Sequence, residues 1–254
     1  MHHTRLIARL DVKAPFLIKG INLEGVRKIG LPNDFAVRYY KEGIDEILYM
    51  DAVASLYERN SLADVVQKTA DDVFVPMAVG GGLRTLDDIH RMMRAGADKV
   101  AINTAAVKRP DFLTEIAEAY GSQATVLSVE AKRHPNETRW EAYVDNGREK
   151  TGLDVIDWVI RAEELGAGEI LLTSVDQEGM QSGYDIELVR AVSLAVNIPI
   201  VASGGMGKPE HLSTVIKDGG ASAVAIAHAL HYGDYSISEL KEHLIANDIQ
   251  VRDL

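Results

Sequence analysis

The sequence predicts one (β/α)8 barrel made of two similar halves, and three observations predict it. Short apolar runs alternate with amphipathic stretches along the whole chain, and eight such runs can be marked as strands. The length, 254 residues, suits one closed α/β barrel. Residues 75–105 read VPMAVGGGLRTLDDIHRMMRAGADKVAINTA and are echoed from residue 198 by IPIVASGGMGKPEHLSTVIKDGGASAVAIAHA. Each copy is an apolar run, a glycine cluster, an amphipathic stretch, a small-residue turn and a second apolar run. A doubly wound open sheet is the alternative, but it does not call for a half-chain repeat.

The strand candidates, in order, are residues 6–12, 46–51, 74–79, 99–103, 124–130, 169–174, 198–203 and 223–227. Helical patterns between them include 85–94, 110–120 and 155–165. The repeat extends past the glycine loops. Leu10-Asp-Val-Lys matches Val129-Glu-Ala-Lys, and Glu46-Ile-Leu matches Glu169-Ile-Leu. No linker or low-complexity stretch interrupts it. One domain over 1–254 is therefore expected, with halves at about 1–123 and 124–254. Two connections exceed what a barrel needs. Residues 13–30 form a glycine-bearing segment long enough to act as a lid. Residues 133–151 contain Asp145-Asn-Gly, a hairpin signal, and most of that loop reads as decoration of the rim.

Composition removes several classes. The formal net charge of −11, with no basic run, argues against a nucleic-acid surface. There is no cysteine, hence no disulfide framework and no thiolate metal site. The histidines are scattered without ligand spacing, so no metal and no cofactor are expected. No apolar run is long enough to span a membrane and the first residues are no signal peptide, so a cytoplasmic protein is expected. A serine-nucleophile elbow is also missing.

Phosphate is a different matter, because local loops make such sites. Gly80–Gly82 and Gly204–Gly205 lie where a strand ends ahead of a helix. Glycine lets backbone N–H groups approach an anion, and a helix N-terminus adds its dipole. Two such loops in register suit a ligand with a phosphate at each end.

Two carboxylates stand beside those loops. Asp11 ends strand one and Glu130 ends strand five, across the mouth where barrel enzymes do their chemistry. Such a pair suits general acid–base work; a pair of acids capping the following turns is the plainer alternative. Parity adds a second set. Arg5, Ile7, Arg9 and Asp11 share one face of strand one, so Arg5 points inward at the opposite end. Lys99, Glu46 and Glu169 begin strands four, two and six, and the four charges could close a ring at the barrel floor, which in an ordinary barrel reads as a structural plug and becomes functional only if something enters from below.

These motifs, with Lys19-Gly-Ile-Asn, Val79-Gly-Gly-Gly-Leu-Arg, Ala95-Gly-Ala-Asp-Lys-Val, Glu164-Leu-Gly-Ala-Gly-Glu-Ile-Leu-Leu-Thr-Ser and Ala202-Ser-Gly-Gly, resemble the HisF-type cyclase subunit of imidazole glycerol phosphate synthase. The resemblance implies a barrel with a glutaminase on its bottom face. It also implies ammonia passing along the axis to a bis-phosphate nucleotide, which is cyclised and cleaved. Carried over by position, the acid–base pair falls on Asp11 and Glu130. Phosphate and substrate contacts fall on Lys19, Gly81, Gly82, Asn103, Thr104, Asp176, Gly179, Gly204, Gly205, Ala227 and His228. The salt-bridge gate falls on Arg5, Glu46, Lys99 and Glu169.

The chain departs from the family at four places. Glu130 stands where the family has Asp, His228 where it has Ser, Arg9 where it has a small residue, and Asp176-Gln-Glu-Gly-Met in the loop after strand six. With residues 52–62 and 174–179, these departures resemble HisF-like paralogues of surface-sugar amidation, which serve a sugar amidotransferase. That branch is the expectation, with the histidine-pathway cyclase as the alternative and a purely allosteric activator of a glutaminase as the third. An inward Arg9 is expected to pair with Asp11, Glu130 or both and to lower the pKa of both, weakening cyclase turnover.

Overall fold

Alternation along the first strand sets the architecture. In Arg5–Lys13 (β1), Leu6, Ala8, Leu10 and Val12 face the helices, while Ile7 faces the barrel axis. The computed structural model describes residues 3–21, 24–52 and 62–252. Seven further strands close the barrel: Glu46–Asp51 (β4), Met77–Gly80 (β5), Lys99–Ile102 (β6), Thr125–Arg133 (β7), Glu169–Ser174 (β10), Ile200–Ser203 (β11) and Ala223–Ile226 (β12). All eight run parallel in that order. β10 pairs with β7 and β12 pairs with β1, which closes the circuit. The expected (β/α)8 barrel is the fold.

Each half carries an antiparallel hairpin after its first barrel strand. Phe16–Ile21 (β2) and Glu24–Gly30 (β3) follow β1, and Trp140–Val144 (β8) and Glu149–Asp154 (β9) follow β7. The segment read as a lid is thus a hairpin growing out of β1.

Two strands start later than their apolar runs suggest. Phe74 and Ile198 open those runs, but each ladder begins only after a proline, at Met77 and at Ile200. Proline has no N–H for the ladder. Its carbonyl still serves: Ile47 donates to Pro76 at 3.0 Å and Ile170 to Pro199 at 3.0 Å. Phe74 is left 74% exposed, edge-on to Tyr40.

The helices fill the outer layer: Pro32–Lys41 (α1), Leu62–Ala70 (α2), Leu86–Ala95 (α3), Thr104–Lys108 (α4), Phe112–Tyr120 (α5), Val155–Glu164 (α6), Ile186–Ala195 (α7), Pro209–Lys217 (α8), His228–Tyr232 (α9) and Ile237–Ala246 (α10). The ends of α3 follow local rules. Thr85 and Asp88 form a capping box, Asp87 and Asp88 sit in the first turn, and Gly96 closes the helix at φ 111°. Residues 110–111 lie outside the expected 110–120 helix: α4 ends at Lys108 with Arg109 non-helical as its C-cap, and α5 starts at Phe112 with Asp111 as its N-cap.

Beneath the floor, buried Lys241 joins α10 to the barrel. Its ammonium donates to Asp45 Oδ1 at 2.9 Å and to the Arg252 carbonyl at 3.0 Å, while Asp45 Oδ2 accepts from Leu6 N–H at 2.8 Å. Among the described residues no helix is long and apolar enough to cross a membrane.

Candidate active site at the barrel mouth

The barrel interior is stacked in layers, and parity decides which residues enter each. At the floor, Arg5 on β1 bridges Glu46 on β4 (2.5 Å) and Glu169 on β10, and Lys99 on β6 bridges the same two carboxylates at 3.1 and 2.8 Å. Two cations and two anions therefore close one neutral ring. Burial holds Glu46 above its ordinary carboxylate value against the pull of Lys99 and Arg5. The expected ring is present as a contact network.

Above it lies an apolar layer of Ile7, Leu48, Ala78, Ala101, Val126, Leu171, Val201, Ala223 and Ala225. Four of these nine are alanine.

The next layer is polar and is governed by Arg9, which is 5% exposed. Its Nε donates to Asp11 Oδ1 at 3.0 Å. One terminal nitrogen donates to Thr173 Oγ1 at 3.0 Å and to Ser203 Oγ at 2.9 Å. The guanidinium therefore spans from β1 to β10 and β11 across the interior. Thr173 and Ser203 were not foreseen. The signal was available, since each lies two residues along its strand from an inward apolar residue, Leu171 or Val201.

Asp11 and Glu130 top the stack, both nearly buried. Burial alone would raise Asp11, but Arg9, Lys19 and His231 outweigh it and hold the carboxyl below its ordinary value. Glu130 goes the other way. Burial pushes it up to about 7, helped by Asp145 and Asp11 and opposed by Gly147 N–H and Arg9. Arg9 pairs with Asp11 and lowers it as expected, but the expectation that Glu130 is lowered too is corrected: burial outweighs the pull of Arg9 there. Arg9 is hydrogen-bonded to Asp11, whereas Glu130 Oε2 accepts from Gly147 N–H at 2.8 Å.

Gly147 belongs to the β8–β9 turn, so the reading of this loop as rim decoration is also corrected. Asp145, Asn146 and Gly147 all have positive φ, the geometry of a tight hairpin turn. The turn folds inward over the mouth, and the Asn146 amide donates to the Ala52 carbonyl at the end of β4.

A cavity of about 700 Å3 opens at this level. Asp11, Glu130, Gly81, Gly82, Asn103 and Thr104 line it, together with Arg84, Lys108, Arg109 and the Asp145–Asn146 turn. Gly81 must be glycine: φ is +91°, and a Cβ would lie 2.4 Å from the Asp51 carbonyl. The glycine loop does not lead straight into a helix, since α3 starts at Leu86. Instead α4 and α9 begin at once after β6 and β12, with Asn103 and Ala227 as their N-caps.

The second glycine loop sits in a separate, narrow lobe with Lys19, Gly179, Gly204, Gly205, Ala227 and His228. Its free volume of about 20 Å3 holds roughly one water. The Lys19 ammonium and the Glu178 carboxylate meet there as a buried pair. A Cβ on Gly204 would come within 3.2 Å of Glu178 Oε2, so that carboxylate lies against the glycine loop. Burial lowers His228 below its ordinary value against the pull of Asp234, and its Nε2 lies 3.0 Å from Gln181 Nε2. Asp176 is not among the residues lining either lobe. It is exposed and accepts from Arg133 N–H at 2.9 Å. Most of the 52–62 motif, and Asn22 of the Lys19 motif, lie outside the described residues.

The molecule is thus a closed (β/α)8 barrel with a ring of ion pairs at its floor, an apolar layer above it and an acid pair at its mouth. Residues 5–236 match the family described as "Histidine biosynthesis protein". The imidazole glycerol phosphate synthase subunit HisF of Legionella pneumophila is 58% identical over 213 residues, covering 84% of this chain and all of that protein. The corresponding subunit of Dehalococcoides mccartyi is 46% identical over 252 residues, 99% of both chains. The chain belongs to the HisF family of imidazole glycerol phosphate synthase subunits.

Proposed function

We propose that the chain is the ammonia-using subunit of a glutamine amidotransferase complex, and that its mouth performs the cyclase–lyase reaction giving imidazole glycerol phosphate and an aminoimidazole carboxamide ribotide. The observation that carries this reading is the asymmetry of the acid pair. Asp11 is held ionised and suits a general base, while Glu130 titrates near neutrality and suits a general acid. A glutaminase covers the strand N-terminal ends around the Arg5–Glu46–Lys99–Glu169 ring. Ammonia enters there and crosses the apolar waist. One phosphate of the ligand rests on Gly81, Gly82 and Thr104. The other reaches Gly204, Gly205 and Ala227 once Glu178 gives way.

That last condition supports a second reading. A second lobe already filled by a carboxylate, with His228 at its rim, also suits a paralogue that supplies ammonia to a sugar amidotransferase for amidino-sugar synthesis. Complementation of a histidine auxotroph lacking the cyclase separates the two. Growth supports the histidine pathway. No growth, together with glutaminase co-purification and no turnover of the bis-phosphate with ammonium salts, supports the amidation branch.

A further inference from the structure

The four strands that supply Arg9, Asp11, Thr173, Ser203 and Glu130 place one permanently charged side chain between two acids, yet bond it to only one of them. Nε reaches Asp11 at 3.0 Å, and the fork is fixed on the far side by Thr173 at 3.0 Å and Ser203 at 2.9 Å. A planar guanidinium tied at both ends has little freedom to turn toward another partner. Glu130, from β7, receives Gly147 N–H instead.

We propose that Arg9 is a positioning residue that divides the labour of the acid pair: it keeps Asp11 as the carboxylate and leaves the proton to Glu130. The idea rests on reading these two acids as the reacting pair, and it adds the group that sets their roles. All the charges facing the pair act in this direction or can be counted against it. Arg9 and Lys19 face Asp11 from β1 and β2; His231 faces it from α9, but burial pushes His231 down to about 4, so it is uncharged between about pH 5 and 8. Arg9, Asp145 and Asp11 face Glu130. Glu178, in the loop after β10, faces Arg9 itself. Two neighbouring carboxyls without such a fixed cation would share their proton between them, and neither would hold one role. Arg9 also stands directly above the apolar waist, so the base it orients lies beside the place where a small neutral nucleophile emerges.

Carboxyl 13C NMR on the full chain tests this without any turnover, with signals assigned through Asp11→Asn and Glu130→Gln. In the wild type, Glu130 is expected to titrate near neutrality and Asp11 to show no titration between about pH 5 and 8. In Arg9→Met the Asp11 midpoint is expected to move up by about one pH unit or more, the effect of losing an adjacent opposite charge. Arg9→Lys, which restores a charge without the fork, should return part of that shift. Where Arg9→Met does not fold, Arg9→Gln keeps length and hydrogen bonds and is judged by the same shift. An Asp11 midpoint that is identical with and without the Arg9 charge overturns the proposal. So does a wild type in which Asp11 titrates above Glu130. Because the readout is titration, a chain that fails to turn over the bis-phosphate refutes the proposed reaction while leaving the role of Arg9 to be decided by the spectra. With turnover, the acidic limb of the pH–rate profile should rise with the Asp11 midpoint.

Discussion

At the scale of single residues, the two acids make opposite demands on stability. Glu130 holds its proton more tightly in the folded chain than in the unfolded one. Between its ordinary value and about 7, the unfolded state has lost a proton that the folded state keeps, so stability falls as pH rises through that window. Glu130→Gln should therefore unfold at a higher temperature than the wild type at pH 8. Its turnover should meanwhile drop on the order of 10²- to 10⁴-fold, the usual worth of a general acid. Calorimetry and steady-state rates on one preparation check both. Asp11, whose proton affinity is lowered, contributes stability above its unfolded value, and that contribution is lost as pH falls through the folded one. At the floor, Lys241→Ala leaves Asp45 buried without its ammonium partner and should cost about 3 kcal/mol in a denaturant titration.

Much of this layer was legible. Counting by twos along β1 places Arg5, Arg9 and Asp11 inward from the sequence alone. The direction of the Glu130 shift was not legible. It depends on a turn far along the chain folding back to cover it, and on Arg9 bonding elsewhere, and neither contact leaves a local pattern.

Elements were read well where local rules decide them and less well where a single residue interrupts. The α3 helix follows its own sequence: Thr85 opens it, Asp88 completes the box and Gly96 ends it. Thr85→Ala should lower stability by about 1 kcal/mol, measured as a shift of the denaturation midpoint. The strand starts at Met77 and Ile200 were misplaced because apolar character does not register a missing N–H. The β8–β9 hairpin was recognised from Asp145-Asn-Gly, but not its destination, since nothing local tells a turn which way to lean. Asn146→Gly removes the tie to the Ala52 carbonyl and keeps the positive φ of the turn. It should raise KM for the phosphorylated ligand several-fold while leaving the thermal midpoint within about 1 °C, as expected for a partly exposed turn residue.

For the molecule as a whole, the repeat proved the most informative feature. It placed paired carboxylates and paired glycine loops at equivalent ends of the barrel, and the ring residues fell at equivalent strand starts. What it could not give was the inequality of the halves. One mouth lobe is open at about 700 Å3, while the other is filled by Lys19 and Glu178. The ring yields a prediction at this scale. Lys99→Met leaves Glu46 and Glu169 sharing Arg5 alone. If ammonia enters through the floor as proposed, glutamine-driven product formation should fall relative to glutamine hydrolysis, while turnover fed by ammonium salts from the mouth should stay near the wild-type rate. Parallel assays of glutamate and product check the ratio.

The alanine-rich waist has one more consequence, which concerns what can travel rather than what can react. A bare ammonium ion passing Ile7, Val126 and Leu171 would have to shed its hydration shell with nothing to replace it, at a cost of several kcal/mol. Neutral ammonia gives up far less. On the proposed ammonia route, the waist would act as a sieve by hydration, and nitrogen delivered from below would arrive unprotonated whatever the surrounding medium. Nitrogen delivered from above does not: its uncharged fraction grows about tenfold for each pH unit while ammonium predominates. Fed from the floor, the same mouth should therefore show a pH profile set by its own acids alone. Fed from the solvent, it should show that profile tilted upward toward alkaline pH.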